Sequence, residues 1–357
     1  MPTASADPAR RGRRRFPAGA LAAAAALLAL VLPVPYILEG PGPAIDVLGE
    51  HEGRPVLEVQ GGVRDPGEGT LDMTTVLVSG PPTSTTSALE LFGALLDPSR
   101  DAVPRELVYP TGMSADQVDT SNAAAMTDSQ KVAAAAALRE LGRPVPSRLV
   151  VGSLTPEAPS AGVLHEGDVI LRAGDREATD VEAVRAAVDA AGPDPVHLLV
   201  RREGRQIPLE VPVAAAPEGS ERAWQMGALL GQDFDLPTQV TVTLADVGGP
   251  SAGMMFSLAV IERLTPGAMT GGERIAGTGT VDADGHVGPI GGIAQKVQGA
   301  ADAGARVFLA PAENCAELAG RVPEGITVYA VDTLHTARGV VEAVGRDESP
   351  QGVPTCG

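Results

Sequence analysis

An uninterrupted stretch of 23 residues without a charge, Phe16 to Leu38, constrains this chain more than any other feature. It follows a basic cluster of Arg10, Arg11, Arg13, Arg14 and Arg15. A helix of that length reaches about 34 Å, enough to span the hydrocarbon core of a bilayer. A cleavable signal peptide would want a shorter apolar region and small residues at a cut site. Here the run ends in Pro33-Val34-Pro35-Tyr36-Ile37-Leu38, which is a poor one. The stretch therefore predicts an uncleaved transmembrane signal anchor over 16–38, with 1–15 as a cytoplasmic basic tail. The positive-inside rule then places residues from about 40 onward outside the cell membrane. No later segment approaches 18 uncharged apolar residues, so a single pass through the lipid bilayer is expected.

The remainder reads as globular, with 44% hydrophobic and 20% charged residues. Aromatic residues make up only 3%, so the core must be built from Ala, Val and Leu. A net charge of −18 argues against nucleic-acid binding, which requires a basic face. After the exit "EGPGPA", the stretches "RPVLEVQGG" and "GTLDMTTVLVSG" alternate like strands. Residues 84–98 and 122–142 have helical composition, the second with Gly142 as a C-cap and Pro144 as a stop.

From about 146 the texture changes to strand, turn, strand, helix and strand within 146–213. Ala161-Gly162-Val163-Leu164, Gly167-Asp168-Val169-Ile170, the turn at Gly174-Asp175 and the helical "TDVEAVRAAV" follow in order. This segment resembles a PDZ domain of the bacterial type. The resemblance implies a groove that takes an extended peptide, often a free C-terminus, as an added strand. The stretch "RLVVGSL", with Val150, Val151, Gly152, Ser153 and Leu154, is the expected peptide-binding loop.

Beyond 214 the pattern is mixed α/β, and one turn stands out: "GGPSAG", which places Ser251 before an apolar helix. As an N-cap, Ser251 would satisfy an orphan N–H of the first turn. As a nucleophile, it would sit where the backbone turn of Gly249, Pro250 and Ala252 aims N–H groups at an oxyanion. Farther on, Ile293, Val297, Ala300 and Ala301 form one apolar helical stripe, with Lys296 at its edge. Of 27 basic residues only Lys131 and Lys296 are lysines. Lysine, unlike arginine, can lose its proton when desolvated and act as a general base.

The series Gly248-Gly249-Pro250-Ser251-Ala252-Gly253, Gly288-Pro289-Ile290-Gly291-Gly292-Ile293 with Lys296, and Pro311 with Asn314 resembles the proteolytic domain of the Lon protease family. The resemblance implies that Ser251 is the nucleophile and Lys296 the base of a catalytic dyad. It also implies an auxiliary threonine, for which Thr270 and Thr278 compete; Thr278, 18 residues before Lys296, fits that layout better. One departure is that Gly248 stands where the family commonly has an acidic residue, and Asp246 is the nearest substitute. Together with the anchor and the PDZ-like segment, the pattern is similar to the membrane-anchored YlbL-like PDZ/Lon-type serine proteases of Gram-positive bacteria.

The expected fold class is thus an α/β, mixed-sheet Lon-type domain with an inserted PDZ domain and one N-terminal transmembrane helix. Residues 39–145 would supply its first half, 146–213 the PDZ insertion, 214–345 the proteolytic part and 346–357 a tail. The expected activity is an ATP-independent serine endopeptidase acting on protein or peptide substrates, with self-association left open. A non-catalytic PDZ scaffold is the alternative. Neither lysine closes a Gly-x-x-x-x-Gly-Lys-Ser/Thr loop, so no ATP is expected, and no His-Glu-x-x-His motif calls for a metal. No cofactor is implied. His286 reads as a turn residue, not a triad member. Cys315 and Cys356 are the only cysteines, and outside the cytosol they are expected to form a disulfide.

Overall fold

The computed structural model describes residues 23, 27–62, 67–80, 82, 84–109, 114–155, 157–217, 220, 222–244 and 247–357. The basic tail, ten of the 23 residues of the uncharged run and Asp246 lie outside the described residues. Within the described part the run is not one helix ending at Leu38. Residues 27–31 are helical, but Pro33–Val34 pairs with Thr86–Ser87 and a strand begins at Tyr36. Pro33 and Pro35 account for the break, since each removes a helical hydrogen bond and crowds the preceding turn. Among the described residues no helix is long and apolar enough to cross a membrane.

Strands β1 (Tyr36–Asp46) and β2 (Thr70–Ser79) come first, then helix α1 (Ala88–Leu96), β3 (Asp101–Pro104) and helix α2 (Ala115–Glu140). The middle of the chain holds β4 (Ser147–Leu154), β5 (Val169–Ala173), α3 (Val181–Ala191), β6 (Val196–Arg202), β7 (Arg205–Val211) and β8 (Ala228–Phe234). The last part holds α4 (Gly253–Leu264), β9 (Arg274–Gly277), α5 (Ile293–Asp302), β10 (Val307–Pro311), β11 (Thr327–Val331) and α6 (Leu334–Gly345).

Two six-stranded sheets result. The larger runs β11-β10-β9-β2-β1-β3 and draws strands from both ends of the chain. Its first four members are parallel, with Thr70 opposite Arg274 and Met73 opposite Gly277, whereas β1 and β3 are antiparallel additions. The second sheet runs β7-β6-β5-β4-β8, with Arg176–Glu177 pairing on β5, and interrupts the first one in sequence. Strand β8 pairs with β4 along its whole length, from Ala228 opposite Leu154 to Phe234 opposite Ser147. The boundary expected at 213 therefore falls too early. Residues 214–234 read as the start of the next domain because the link before β8 is long and weakly patterned.

Helix α4 is buried from Gly253 through Arg263, as expected of a helix apolar on every side. The alanine-rich helix α2 lies against it, with Ala133 to Leu138 all buried. Small side chains let the two backbones approach, and the Ser257 hydroxyl in α4 donates to the Ala133 carbonyl oxygen at 3.0 Å. Helix α2 also begins seven residues before the expected 122, at a Ser114/Gln117 capping box. At the outer edge of the large sheet, the Cys356 amide donates to the Val328 carbonyl and the Ala330 amide to the Pro354 carbonyl. Cys315 and Cys356 are joined in a disulfide. The C-terminal tail thereby covers the open edge of β11.

Candidate active site

Ser251 sits in the turn that precedes α4, but it does not cap that helix. The N-cap position is Ala252, and no side chain caps it. The Ser251 hydroxyl instead faces Lys296, whose Nζ lies 2.9 Å from Oγ. Of the two readings of this serine, the geometry leaves the cap without support and brings the serine and the lysine together.

The turn is held from the first half of the chain. The Gly249 amide donates to the Asn122 carbonyl at 3.0 Å, and the Ser129 hydroxyl donates to the Pro250 carbonyl at 3.1 Å. Both partners lie on α2, and nothing in the sequence singles them out. They also change the expected oxyanion turn: the Gly249 N–H is already spent, and Pro250 has none. Among the described residues, the Ser251 and Ala252 amides carry no hydrogen bond and remain for an oxyanion.

Lys296 is set by α5 and by what flanks it. Gly292, in the left-handed region at φ 67°, precedes the helix, and the Lys296 amide donates to its carbonyl. Asn314 clamps the approach by accepting from the Ile290 amide and donating to the Ile290 carbonyl, both at 3.0 Å. At Gly299 a Cβ would lie 2.4 Å from the Gly42 carbonyl oxygen, so only glycine allows α5 to press this closely on β1. The sequence placed Lys296 at the edge of a stripe. Contact with β1 on the far side buries Gln295 and Lys296 as well, leaving the lysine 4% exposed.

That burial pushes the Lys296 ammonium down to about 8, partly countered by the negative charge of Glu39. Glu39 itself is raised by burial and by repulsion from Asp101. Thr278, one residue past the end of β9 and fully buried, completes the group. Its hydroxyl donates to the Ser251 carbonyl oxygen at 2.9 Å, and its oxygen lies 3.2 Å from Lys296 Nζ. Thr270 is also buried but donates to the Glu68 carbonyl instead, away from the lysine. His286 is exposed on a turn and bonds Asp282 at 2.9 Å, not Ser251.

A cleft of about 470 Å³ opens over the pair and is lined by Glu39, Thr74 to Val78, Met126, Gly248, Ser251 and Lys296. Strand β9 pairs only with residues 70–73 of β2, so among the described residues the following edge of β2 has no strand beside it where it borders this cleft.

The expected peptide-binding residues Val150 to Leu154 lie in β4, which pairs with β8 along its length and with β5 at Leu149 and Val150. Val150 is thus flanked by strands on both sides and offers no free edge. A groove lies between α3 and β8. It holds about 330 Å³, with Val181, Val184, Val188, Met226 and Leu230 among its lining. Sequence reasoning missed it because β8 lies beyond the assigned boundary.

Residues 242–341 match the family model of the Lon protease (S16) C-terminal proteolytic domain. The chain is 36% identical over 87 residues to Lon protease 1 of Herpetosiphon aurantiacus, covering 24% of this chain and 10% of that protein. It is 37% identical over 105 residues to Lon protease 1 of Thermus thermophilus, covering 29% and 13% respectively. The match thus spans only about an eighth or less of these curated relatives. Among solved structures, the PDZ domain of an SdrC-like protein from Listeria monocytogenes is similar with a TM-score of 0.21 and 18% identity. That likeness covers 23% of this chain and 86% of the other. Over residues 242–341, the stretch that carries Ser251, Thr278 and Lys296, the chain is similar to the Lon-type proteolytic domain.

Proposed function

We propose that the chain is a serine endopeptidase in which Ser251 and Lys296 form the catalytic dyad. The observation that carries this reading is the 2.9 Å contact between Ser251 Oγ and the nearly buried Lys296 Nζ. A neutral Lys296 amine has one lone pair and two N–H groups. Thr278 has committed its proton to the Ser251 carbonyl, so towards Lys296 it can only accept. One lysine N–H is thereby turned to Thr278, which helps aim the lone pair at the Ser251 hydroxyl.

Ser251 Oγ attacks the peptide carbonyl carbon as its proton passes to Lys296. The oxyanion meets the Ser251 and Ala252 amides. The Lys296 ammonium then gives its proton to the leaving amine, and the carbon–nitrogen bond breaks to leave an acyl ester on Ser251. Water, deprotonated by the same lysine, hydrolyses that ester. The substrate lies extended along the open edge of β2 from Thr74 to Ser79, adding a strand beside the nucleophile.

No ATPase motif accompanies the site, so cleavage is taken as ATP-independent. The α3/β8 groove takes an extended peptide with an apolar residue between Val184, Val188 and Leu230, as a PDZ domain would. The arginine cluster and uncharged run anchor the chain in a membrane with both units outside. A non-catalytic scaffold is the weaker reading, because burying a lysine is costly and a purely structural core could use Met. Labelling with a fluorophosphonate probe tests the proposal: wild type should label at Ser251, and Lys296→Arg should not. Equal labelling of both proteins would overturn the dyad.

A further inference from the structure

Fourteen large hydrophobic side chains are exposed among the described residues, and their distribution is uneven. Leu77 and Val78 border the cleft at Ser251, and Leu229 lines the α3/β8 groove. The remaining eleven lie in three short segments: 27–32, helix α1, and the one-turn helix Arg105–Val108. In α1, Leu89, Phe92, Leu95 and Leu96 are 53–70% exposed, and only Ala94 is buried. Such a helix has too little of its apolar surface covered to be explained by packing on the large sheet.

Backbone hydrogen bonds draw the three segments together. The Ala88 amide, at the start of α1, donates to the Leu32 carbonyl at 3.1 Å. The Arg105 amide donates to the Pro35 carbonyl at 3.1 Å, and Pro33–Val34 pairs with Thr86–Ser87. Both helices therefore start at the point where the uncharged run enters the folded domain. If that run crosses a bilayer, this point lies at the bilayer surface, and the uncovered apolar faces lie there with it.

We infer that α1 and the turn Arg105–Val108 form a second membrane contact, lying in the interfacial zone of the same bilayer that holds the anchor. Interfacial helices bury an apolar face roughly 5–10 Å into the headgroup and acyl boundary. Helix α1 suits that depth: at nine residues it is about 13 Å long, and its single charge, Glu90, is held in a capping box with Ser87. The occupant is lipid because the patch is continuous with a lipid-spanning run. The contact fixes the orientation of the domain: Glu39, on the wall of the cleft, is only seven residues beyond Leu32 along an extended strand. This inference rests on the anchor reading.

The test uses the full chain in vesicles of phosphatidylethanolamine and phosphatidylglycerol. Both native cysteines are joined in the disulfide, so a Phe92→Cys variant offers one thiol for an environment-sensitive fluorophore. Lipids spin-labelled high on the acyl chain should quench that fluorophore at least threefold more than one placed at Glu210→Cys, on β7. Adding Leu95→Glu and Leu96→Glu should lower the quenching at position 92. Equal quenching at 92 and 210 would overturn the inference, as would thiol cross-linking of two copies through position 92 without lipid quenching. Alkaline carbonate washing separates the two readings. A chain that stays in the vesicles with position 92 unquenched defeats only the surface contact, whereas a released chain defeats the anchor and the contact together.

Discussion

The Thr278 hydroxyl donates to the Ser251 carbonyl oxygen at 2.9 Å while its own oxygen lies 3.2 Å from Lys296 Nζ. One small side chain thus fixes the backbone of the nucleophile and the head group of the base. Thr278→Val keeps the shape and removes both contacts. It should lower kcat by about one to two orders of magnitude, at or below the lower end of the roughly 100- to 10,000-fold that proton-transfer catalysis is worth. Thr278→Ser should restore most of the rate, since the hydroxyl returns. A fully active Thr278→Val enzyme would show that the threonine only packs.

Lys296→Arg should cost at least about 100-fold in kcat/KM with the fold intact, because a guanidinium keeps its proton at any accessible pH. Ser251→Ala should be equally inactive, and the double variant scarcely worse, because the two groups act as a unit. Peptide cleavage rates and circular dichroism on the three proteins decide the matter.

In the proposed dyad Lys296 acts as the neutral amine, and burial brings it down to about 8. The kcat/KM profile should therefore rise with pH through a midpoint near that value. Glu39 holds the lysine up by its charge, so Glu39→Gln should move the midpoint to lower pH. A midpoint that moves upward, or not at all, would remove Glu39 from the electrostatics of the site.

The same burial has a cost in stability. In the unfolded chain the lysine titrates near its ordinary 10.5, and in the folded chain near 8. Below 8 both states are protonated and the folded state bears the full penalty, on the order of 3 kcal/mol by linkage. Between 8 and 10.5 the unfolded chain holds more protons, so stability rises with pH. Lys296→Met should therefore be more stable than wild type at pH 7, with the gap closing towards pH 10. Urea unfolding at the two pH values reads this directly.

Reducing the disulfide, or replacing Cys356 with Ser, opens a loop of 41 residues. The chain-entropy model gives a loss of about 3 to 4 kcal/mol. The tail should also leave the edge of β11, visible as faster amide exchange at Ala330 and Cys356. Two titratable thiols in the unreduced protein would contradict the bond.

Much of the site was legible before the fold was known, because its chemistry rests on unusual residue choices. A chain with two lysines draws attention to each, and glycine-flanked turns mark Ser251 and the approach to Lys296. Supporting contacts were less visible. Asn122 acts through a backbone carbonyl that any residue would supply, and Ser129 lies in a polyalanine helix that looks purely structural. The pairing of 150–154 was not visible because periodicity identifies strands but not their neighbours: the stretch expected as a loop is β4, with β8 along its whole length. Burial of Lys296 was underestimated for a related reason. Helical periodicity shows the face turned to one sheet strand, and the second contact depends on Gly299 meeting Gly42.

The larger sheet also sets a clock on the protein's own biosynthesis. Thr74 on β2 donates to the carbonyl of Gly277, 203 positions later, and the turn that holds Ser251 leans on a helix made long before it. At about 5 to 20 residues per second, the early strands wait on the order of 10 to 40 seconds for their partners. Ser251 is made only near the end of that interval, and Lys296 follows 19 residues after Gly277. The proposed dyad is therefore incomplete until almost the whole chain has been made.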